Sequence, residues 1–377
     1  MEKIKNEYEY LVHLVRCALQ EIQPTELPKG LSFDRVYEYG KAHEVANITF
    51  VSVQRLYKKP IDSLYKKWKT AYAFSIQRHA NQMNARDEIV NALNDARIRH
   101  VEVQGTIMKT LYPYPEWRMM SDIDFIIDKE NLETAEAVMK SLGYETNNPN
   151  GVEIDAYGKN GIAVELHSDF FDPKSICHGT ISDVFSFSTQ IDDTYSYRAS
   201  DTTFYLYNLL HCVKHYLQRG AGIRRIMDMY ILRKRLSDRV DKENIDKIIS
   251  ESGYKSIVDE IFSIVDKWFY DIKTEADLSK TEEHIYLSNN HGSMQIQLKN
   301  EYHRSDVSKK RFFKMRKYIN LIFPLKENVY RAYPICESRK YPIVVCWLYR
   351  WFKATTNSNK RKNATRLLSE IRKTKIK

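Results

Sequence analysis

Glycine and proline are scarce in this chain of 377 residues, which contains only 12 Gly and 10 Pro. Collagen-like, linker-rich and all-β proteins contain more of both, so the composition favours a helix-rich chain. Hydrophobic residues make up 43% of the chain and charged residues 29%, which is ordinary for a globular protein. The length is enough for a substantial core and for roughly two or three domains.

Cysteine and long apolar runs are also limited. The 5 cysteines form no C-x-x-C pair and no zinc-binding spacing, so we expect a reduced, intracellular compartment. The first residues include acidic side chains and no apolar run, which argues against a secretory signal. No stretch of ~18 apolar residues occurs, so we expect no transmembrane helix. We therefore predict a cytoplasmic protein, with peripheral membrane contact as an alternative.

Positive charge is concentrated near the C-terminus. From residue 301 onward 21 Lys and Arg oppose 5 Asp and Glu, a net charge of +16, so residues 1–300 carry −6 of the total of +10. The aromatic and apolar segment 341–352 lies in this basic part and is too short to span a bilayer. It is typical either of a core helix followed by a solvated tail, or of contact with a membrane surface or another polyanion.

Hydrophobic periodicity divides the chain into regions. Helical spacing predicts helices over residues 1–22, 33–56 and 60–96. Alternation then predicts a strand at 99–103, a short helix at 106–111, a strand at 122–127, a helix at 129–142 capped by Asp128, and strands at 151–157 and 162–170. Helices follow at 201–217, 226–236 and 242–268. Residues 273–296 are polar and poorly periodic, so we predict a polar excursion there, that is, a segment that departs from the helical pattern. We predict an N-terminal helical region (1–97), a core (98–195), a helical region (196–300) and a basic C-terminal helical region (301–377).

Two carboxylates, Asp122 and Asp124, lie two residues apart in a β-branched, apolar strand. Strand side chains alternate, so both acids share one face while Ile123, Phe125 and Ile127 take the other. Like charges ~7 Å apart repel unless a cation neutralises them. Paired carboxylates together with substrate phosphates commonly hold Mg²⁺, and the glycine turn at Gly105 is a candidate phosphate cradle. The pattern indicates metal-dependent chemistry on a nucleoside triphosphate.

Several further motifs accompany this strand, and together they resemble the bacterial nucleotidyltransferases of the polymerase-β-like superfamily over about residues 100–235. They are Gln104-Gly105, Leu111-Tyr112-Pro113, Arg118-Met119-Met120-Ser121-Asp122-Ile123-Asp124, Leu142-Gly143-Tyr144 and Val164-Glu165-Leu166-His167. The resemblance implies an α+β protein in which a small mixed β-sheet of polymerase-β type lies between helical N- and C-terminal regions.

The resemblance also implies an activity: Mg²⁺-dependent transfer of a nucleoside monophosphate, AMP from ATP being the first expectation, to a hydroxyl acceptor with release of pyrophosphate. Asp122 and Asp124 would bind the metal, and a third carboxylate would hold a second ion and help deprotonate the acceptor. Glu165 is the candidate for that role, because Val164 and Leu166 would point into the core. His167, on the same face, would orient the glutamate.

The resemblance further implies nucleotide-binding residues. Gly105 would let the backbone approach the phosphates, Thr106 would add a hydroxyl and helix N–H donors, and Arg118 would clamp a phosphate oxygen. Two cationic positions on one helix, Lys214 and His215, and one on the next, Arg224, would form a basic wall near the triphosphate or acceptor. A zinc site at His211 and His215 is the weaker interpretation, because no third ligand is evident.

The chain departs from the family at Gln104, where the family has lysine, at Thr106, where it has serine, and at Met119, where it has proline. Losing the lysine removes a phosphate contact and leaves room for a weakened activity. Two alternatives therefore stay open: a non-catalytic protein of this fold that uses its basic C-terminal region to hold a polyanion or partner, and a D-x-D sugar-nucleotide glycosyltransferase. The sequence names neither the acceptor nor the base of the nucleotide.

Overall fold

The computed structural model describes residues 2–148, 152–158, 160–173, 175–181, 183–289, 292–304, 312–356, 367–369, 371–372 and 374. The chain forms two compact units. Residues 1–216 and 221–291 make up the first, and residues 217–220 and 292–377 make up the second. The division into four regions inferred from the sequence stays a prediction.

The N-terminal part of the first unit is helical. Its helices are α1 (Glu2–Gln20), α2 (Phe33–Ala42), α3 (Ala46–Val53) and α4 (Asp62–Asp95). Trp68 on α4 is fully buried and donates its indole N–H to the Thr49 hydroxyl over 3.0 Å. Further along α4, Ala85, Ile89 and Leu93 pack against the sheet. The long helix predicted from residue 60 onward therefore connects the N-terminal helices to the sheet.

Within the described part of the chain, seven strands form one mixed sheet in the order β3-β4-β5-β2-β1-β7-β6. Its strands are β1 (His100–Val103), β2 (Asp122–Ile127), β3 (Glu145–Asn147), β4 (Glu153–Tyr157), β5 (Ala163–His167), β6 (Ser188–Gln190) and β7 (Ser196–Ala199). The central strand β2 is antiparallel to β1 and parallel to β5. This mixed sheet with surrounding helices confirms the predicted α+β class.

One face of the sheet forms the core. Ile123, Phe125 and Ile127 on β2 join Val164 and Leu166 on β5 in one buried cluster. Between the strands, α5 (Gly105–Thr110) follows β1, and α6 (Leu132–Ser141) adds Leu132, Ala135 and Met139 to the cluster. The opposite face is thereby left to the side chains that alternate with these, which include the acidic residues of β2 and β5.

Two local predictions in this part are corrected. Asp128 does not cap the following helix; its carboxylate instead accepts two hydrogen bonds from Arg99, at 2.7 and 2.8 Å. The helix itself begins later than predicted, at Leu132, after a short 3₁₀ turn at Lys129–Asn131. The short strands β3 and β6, at the two edges of the sheet, and β7, beside β6, carry mostly polar residues that are partly or fully exposed, so no hydrophobic alternation marked them.

Helices complete the first unit. They are α7 (Asp201–Gln218), α8 (Ile223–Leu236), α9 (Lys242–Glu251), α10 (Lys255–Val265) and α11 (Ser279–Ser288). The polar excursion predicted at 273–296 is wrong, because α11 lies within it. The inner face of α11 buries Glu282, which accepts the Trp268 indole N–H at 3.1 Å, and Tyr286, which stacks on Tyr8 and Trp268. A helix that buries a carboxylate and a phenol shows little apolar periodicity.

The second unit contains α12 (Met294–Arg304), α13 (Phe313–Ile322), α14 (Lys326–Ala332), α15 (Pro334–Ser338) and α16 (Ile343–Thr356). Small apolar clusters hold it together, one around Phe313 and Leu298 and another around Val329, Cys336 and Cys346. Among the described residues, no helix has the length and apolar character needed to cross a membrane.

Candidate active site

The register of the central strands brings acidic residues together. Asp124 on β2 lies opposite Glu165 on β5, and Ile126 lies opposite His167. On the other side of β5, Asp155 of β4 lies opposite Glu165. Paired residues in a sheet point to the same face, so Asp122, Asp124, Glu165 and His167 all lie on the face away from the core. Asp122 and Asp124 point to the same side of β2 because they are separated by one residue, Ile123, whose side chain packs in the core.

His167 bridges two of these carboxylates. Its Nε2 lies 3.4 Å from Glu165 Oε2 and 3.6 Å from Asp124 Oδ1, and its Nδ1 lies 3.9 Å from Glu153 Oε2. Asp124 is almost completely buried, with 4% of its side chain exposed, whereas 38% of the Glu165 side chain is exposed. Glu165 is therefore more accessible from solvent than Asp124.

The pKa values of these groups reflect their crowding. Burial, followed by the charges of Asp124 and Glu165, raises the pKa of Asp122 to about 7. Burial alone would lower the pKa of His167, but hydrogen bonding to Asp124 and Glu165 raises it to about 10. The same hydrogen bond lowers the pKa of Glu165. In the free protein an imidazolium therefore supplies the positive charge that the carboxylates need.

The cluster fits a divalent cation. Asp124, Glu165 and His167 each offer one ligand atom, and these atoms all lie within 4.8 Å of one another. Asp122 is outside this set of three. The charges of Asp124 and Glu165 nevertheless contribute to its raised pKa. Carboxylate oxygens are the ligands that Mg²⁺ prefers, while an imidazole in the set also suits transition metals such as Mn²⁺.

Gly105 and Thr106 follow β1 at the start of the short helix α5. A Cβ on Gly105 would overlap the Met120 side chain and approach Arg118 Nη1 to 3.0 Å. Glycine at this position is therefore required for close packing within the protein, independently of any phosphate. Thr106 is buried, and its hydroxyl has no hydrogen-bond partner among the residues described. An unpaired buried hydroxyl is costly, so Thr106 is the more informative of the two positions.

Arg118 is held by an internal ion pair. Its Nε and Nη2 donate to the two carboxylate oxygens of Asp228, each at 3.1 Å, and Tyr112 donates its phenol to Asp228 at 2.7 Å. All three side chains are buried. Burial alone would raise the pKa of Asp228, but the Arg118 guanidinium holds it below its usual value. Two of the guanidinium nitrogens are therefore already bound, which limits how Arg118 can contact a phosphate.

Arg224 on α8 links the acids to a neighbouring groove. Its guanidinium donates a hydrogen bond to the Met119 carbonyl and lies 3.4 Å from Glu44 Oε2. Its positive charge partly offsets the rise in the pKa of Asp122. Met119 and Glu44 both line a groove of about 540 Å³ between α2, α3 and α4. The groove is further lined by Lys41, Lys66, Lys67, Tyr37 and Phe74.

Lys214 and His215 lie on α7. Burial, with a contribution from Arg225, lowers the pKa of Lys214, and the charges of Glu165 and Asp124 act in the opposite direction. His215 Nε2 lies 3.3 Å from His211 Nε2, and the two rings meet edge to face. Among the described residues, the only group of three or more side chains that could hold a metal is that of Asp124, Glu165 and His167, so the histidine pair has no third ligand there.

Two residues near the site, Gln104 and Lys109, make contacts that the sequence did not indicate. Gln104, in the left-handed region at φ +53°, donates its side-chain N–H to the Tyr207 hydroxyl over 2.9 Å. Lys109 is buried next to Gln82, and burial together with the charges of Arg118, Arg78 and Arg224 lowers its pKa to about 7. A long cationic side chain in the otherwise uncharged helix α5 was the only sequence signal for Lys109.

Comparison with known proteins gives one family. Residues 29–270 match the model of a family described as uncharacterised nucleotidyltransferase. The match includes α2 through α10, the whole sheet and every candidate site residue on the sheet, α7 and α8. No curated protein and no solved structure gives a significant match to the chain.

Proposed function

Because the chain belongs to a family of uncharacterised nucleotidyltransferases, we propose that it transfers a nucleoside monophosphate from a nucleoside triphosphate to a hydroxyl acceptor. The observation that carries this proposal is the convergence of Asp122, Asp124 and Glu165 on one face of β2 and β5. The family match favours nucleotidyl transfer over the glycosyl transfer that a D-x-D sequence also permits.

In the proposed reaction the acceptor oxygen forms a bond to the α-phosphorus, and the bond from that phosphorus to the bridging oxygen of pyrophosphate breaks. The acceptor hydroxyl loses its proton to a carboxylate. Glu165 suits this role, because its carboxylate is the more exposed and lies directly opposite Asp124. Asp122, Asp124 and Glu165 would hold one or two Mg²⁺ ions, which when bound would neutralise the negative charge that develops on pyrophosphate.

The cationic side chains on the helices would hold the nucleotide. The charges of Arg225, Glu165 and Asp124 all act on Lys214. Arg224 lies 3.4 Å from Glu44 Oε2, and the charge of Asp122 acts on it. These charges would orient the triphosphate over the metal site, and the Thr106 hydroxyl would donate to one of its oxygens. We expect ATP as the donor.

The groove beside Arg224 is a candidate entrance for the acceptor. Met119 and Glu44 line it, and both contact the Arg224 guanidinium, whose charge acts on Asp122. Its size is that of pockets which bind small molecules. Lys41, Lys66 and Lys67 line it, so we propose an acceptor that carries negative charge.

The test measures whether the α-phosphate of a nucleoside triphosphate is transferred to another molecule. The protein would be incubated with each of the four α-³²P-labelled triphosphates, Mg²⁺ and fractionated cell extract, and label transfer and pyrophosphate release would be measured. We expect both in equal amounts, and their loss in Asp124→Asn and Asp122→Asn but not in Asp128→Asn, whose carboxylate binds Arg99 instead.

Calorimetry with a non-hydrolysable α,β-methylene triphosphate completes the test. Mg²⁺-dependent binding without any transfer would support the non-catalytic alternative, for which the neutral Gln104 is the best argument. No binding in the presence or absence of Mg²⁺ would refute a nucleotide site altogether. Label transfer from a sugar nucleotide instead would point to glycosyl transfer.

A further inference from the structure

The second unit exposes apolar side chains on one side of two helices. On α13 and the residue that follows it, Ile319, Ile322 and Phe323 are exposed, and on α16 Val345, Leu348 and Phe352 are exposed, each with at least 41% of its surface accessible. The spacings of three, four and seven residues put each set on a single helix face. We call these six residues the C-terminal apolar face.

Aromatic contacts join the two helices into one surface. Trp347 donates its indole N–H to the Pro324 carbonyl at 2.9 Å, and Trp351 donates to the Ile322 carbonyl at 3.0 Å. The ring of Phe323 lies 5.1 Å from that of Trp347 and 5.3 Å from that of Trp351. The inner side of α16 is occupied by the fully buried Cys346, so the apolar face is the side that points away from the core of the unit.

The segment that carries this face is strongly basic. Residues 312–356 contain nine Lys and Arg and only two Asp and Glu. Lys353 packs its ammonium 5.6 Å from the centre of the Tyr349 ring, so a cation lies on the same helix as Leu348 and Phe352. Monomeric proteins rarely leave contiguous apolar surface exposed, and such patches usually mark a binding surface.

We infer that the C-terminal apolar face binds the surface of a membrane rich in anionic lipids. Helices that lie in the membrane interface combine an apolar face, aromatic residues and Lys or Arg, as α13 and α16 do. A nucleic acid would use the positive charge but would gain little from exposed leucine, isoleucine and phenylalanine side chains. The helices would lie in the plane of the interface, since α16 has only 14 residues and none of the described helices could span the bilayer.

The experiment measures binding of the whole protein to vesicles by co-sedimentation. Vesicles of phosphatidylcholine alone are compared with vesicles containing 30 mol% phosphatidylglycerol. We expect binding only to the anionic vesicles, and weakening by about tenfold or more in a Leu348→Gln, Phe352→Gln variant, because two large side chains lose their apolar contact. A Tyr57→Gln, Ile272→Gln variant, changed at two exposed positions of the first unit, should bind like the unmodified protein.

A second measurement needs no variant. Of the five tryptophans, Trp68, Trp117 and Trp268 are buried in the first unit, while Trp347 and Trp351 are adjacent to the apolar face. Brominated lipid in anionic vesicles should therefore quench part of the tryptophan fluorescence. The proposal is overturned if no vesicles are bound, or if Leu348→Gln, Phe352→Gln binds as well as the unmodified protein, which would indicate a purely electrostatic polyanion site. It is also overturned if the unmodified protein dimerises through this face instead.

Discussion

Lys109 offers the sharpest test of the electrostatics around the site. Its ammonium is buried, lies 3.3 Å from Gln82 Oε1, and is surrounded by Arg118, Arg78 and Arg224. Burial and these like charges lower its pKa to about 7. The perturbation is Lys109→Met, which keeps a long side chain and removes the charge.

The expected effect follows from proton linkage. Lys109 regains a pKa of about 10.4 when the chain unfolds. Below pH 7 it is protonated in both states, and between pH 7 and 10 only the unfolded state holds the proton. The free energy of unfolding therefore rises with pH in that window, with a slope approaching ~1.4 kcal/mol per pH unit and a total gain of about 3 kcal/mol. Lys109→Met removes this gain.

The assay is urea unfolding followed by tryptophan fluorescence at pH 7, 8, 9 and 10, because urea does not screen charge. The stability of Lys109→Met relative to the unmodified protein should be highest at pH 7 and fall by about 3 kcal/mol by pH 10. A Lys66→Met variant, changed at an exposed lysine, should show no such trend. A difference between Lys109→Met and the unmodified protein that stays constant with pH would refute the reasoning, because Lys109 would then keep its proton.

Three further predictions concern the site and the groove. Asp228→Asn should destabilise the protein by about 3 kcal/mol or more in thermal or urea unfolding, because it leaves the Arg118 guanidinium buried without its counter-charge; a loss under ~1 kcal/mol would mean that the pair is solvated. Gln104→Lys should tighten Mg²⁺–triphosphate binding severalfold in calorimetry, since it adds a cation near the acids, and unchanged affinity would place Gln104 outside the nucleotide site. Lys66→Glu, Lys67→Glu should raise KM for the acceptor in the label-transfer assay and leave triphosphate affinity unchanged; an unchanged KM would exclude the groove as the acceptor entrance.

The parts of the fold that the sequence predicts are those with strong periodicity. Ile123, Phe125 and Ile127 alternate with two aspartates, and the structure places these three apolar side chains in the core, as the alternation requires. Val164 and Leu166 behave in the same way on β5, which fixes the side of the sheet on which Glu165 lies. Local alternation is sufficient here because one face of the sheet packs into an apolar core while the other carries the acidic side chains.

The parts that the sequence does not predict depend on distant partners. Arg118 and Asp228 are 110 residues apart, and no local pattern indicates that they form a buried pair. The helix Ser279–Ser288 was mistaken for a polar excursion because its buried face consists of residues such as Glu282 and Tyr286, which are satisfied by hydrogen bonds and ring stacking. Pairing of this kind becomes visible only when the tertiary structure is known.

The parallel pairing of β2 with β5 limits where residues can be inserted into this part of the sequence or deleted from it. Glu165 meets Asp124 only in one register, and β5 is also paired in register with β4 on its other side. One residue inserted between Ala163 and Glu165 would turn the carboxylate toward Leu132 and Met139 and bring a valine or leucine to the open face. Relatives of this protein should therefore differ in length in the connection between Tyr157 and Ala163, and keep the strands on either side of it free of insertions.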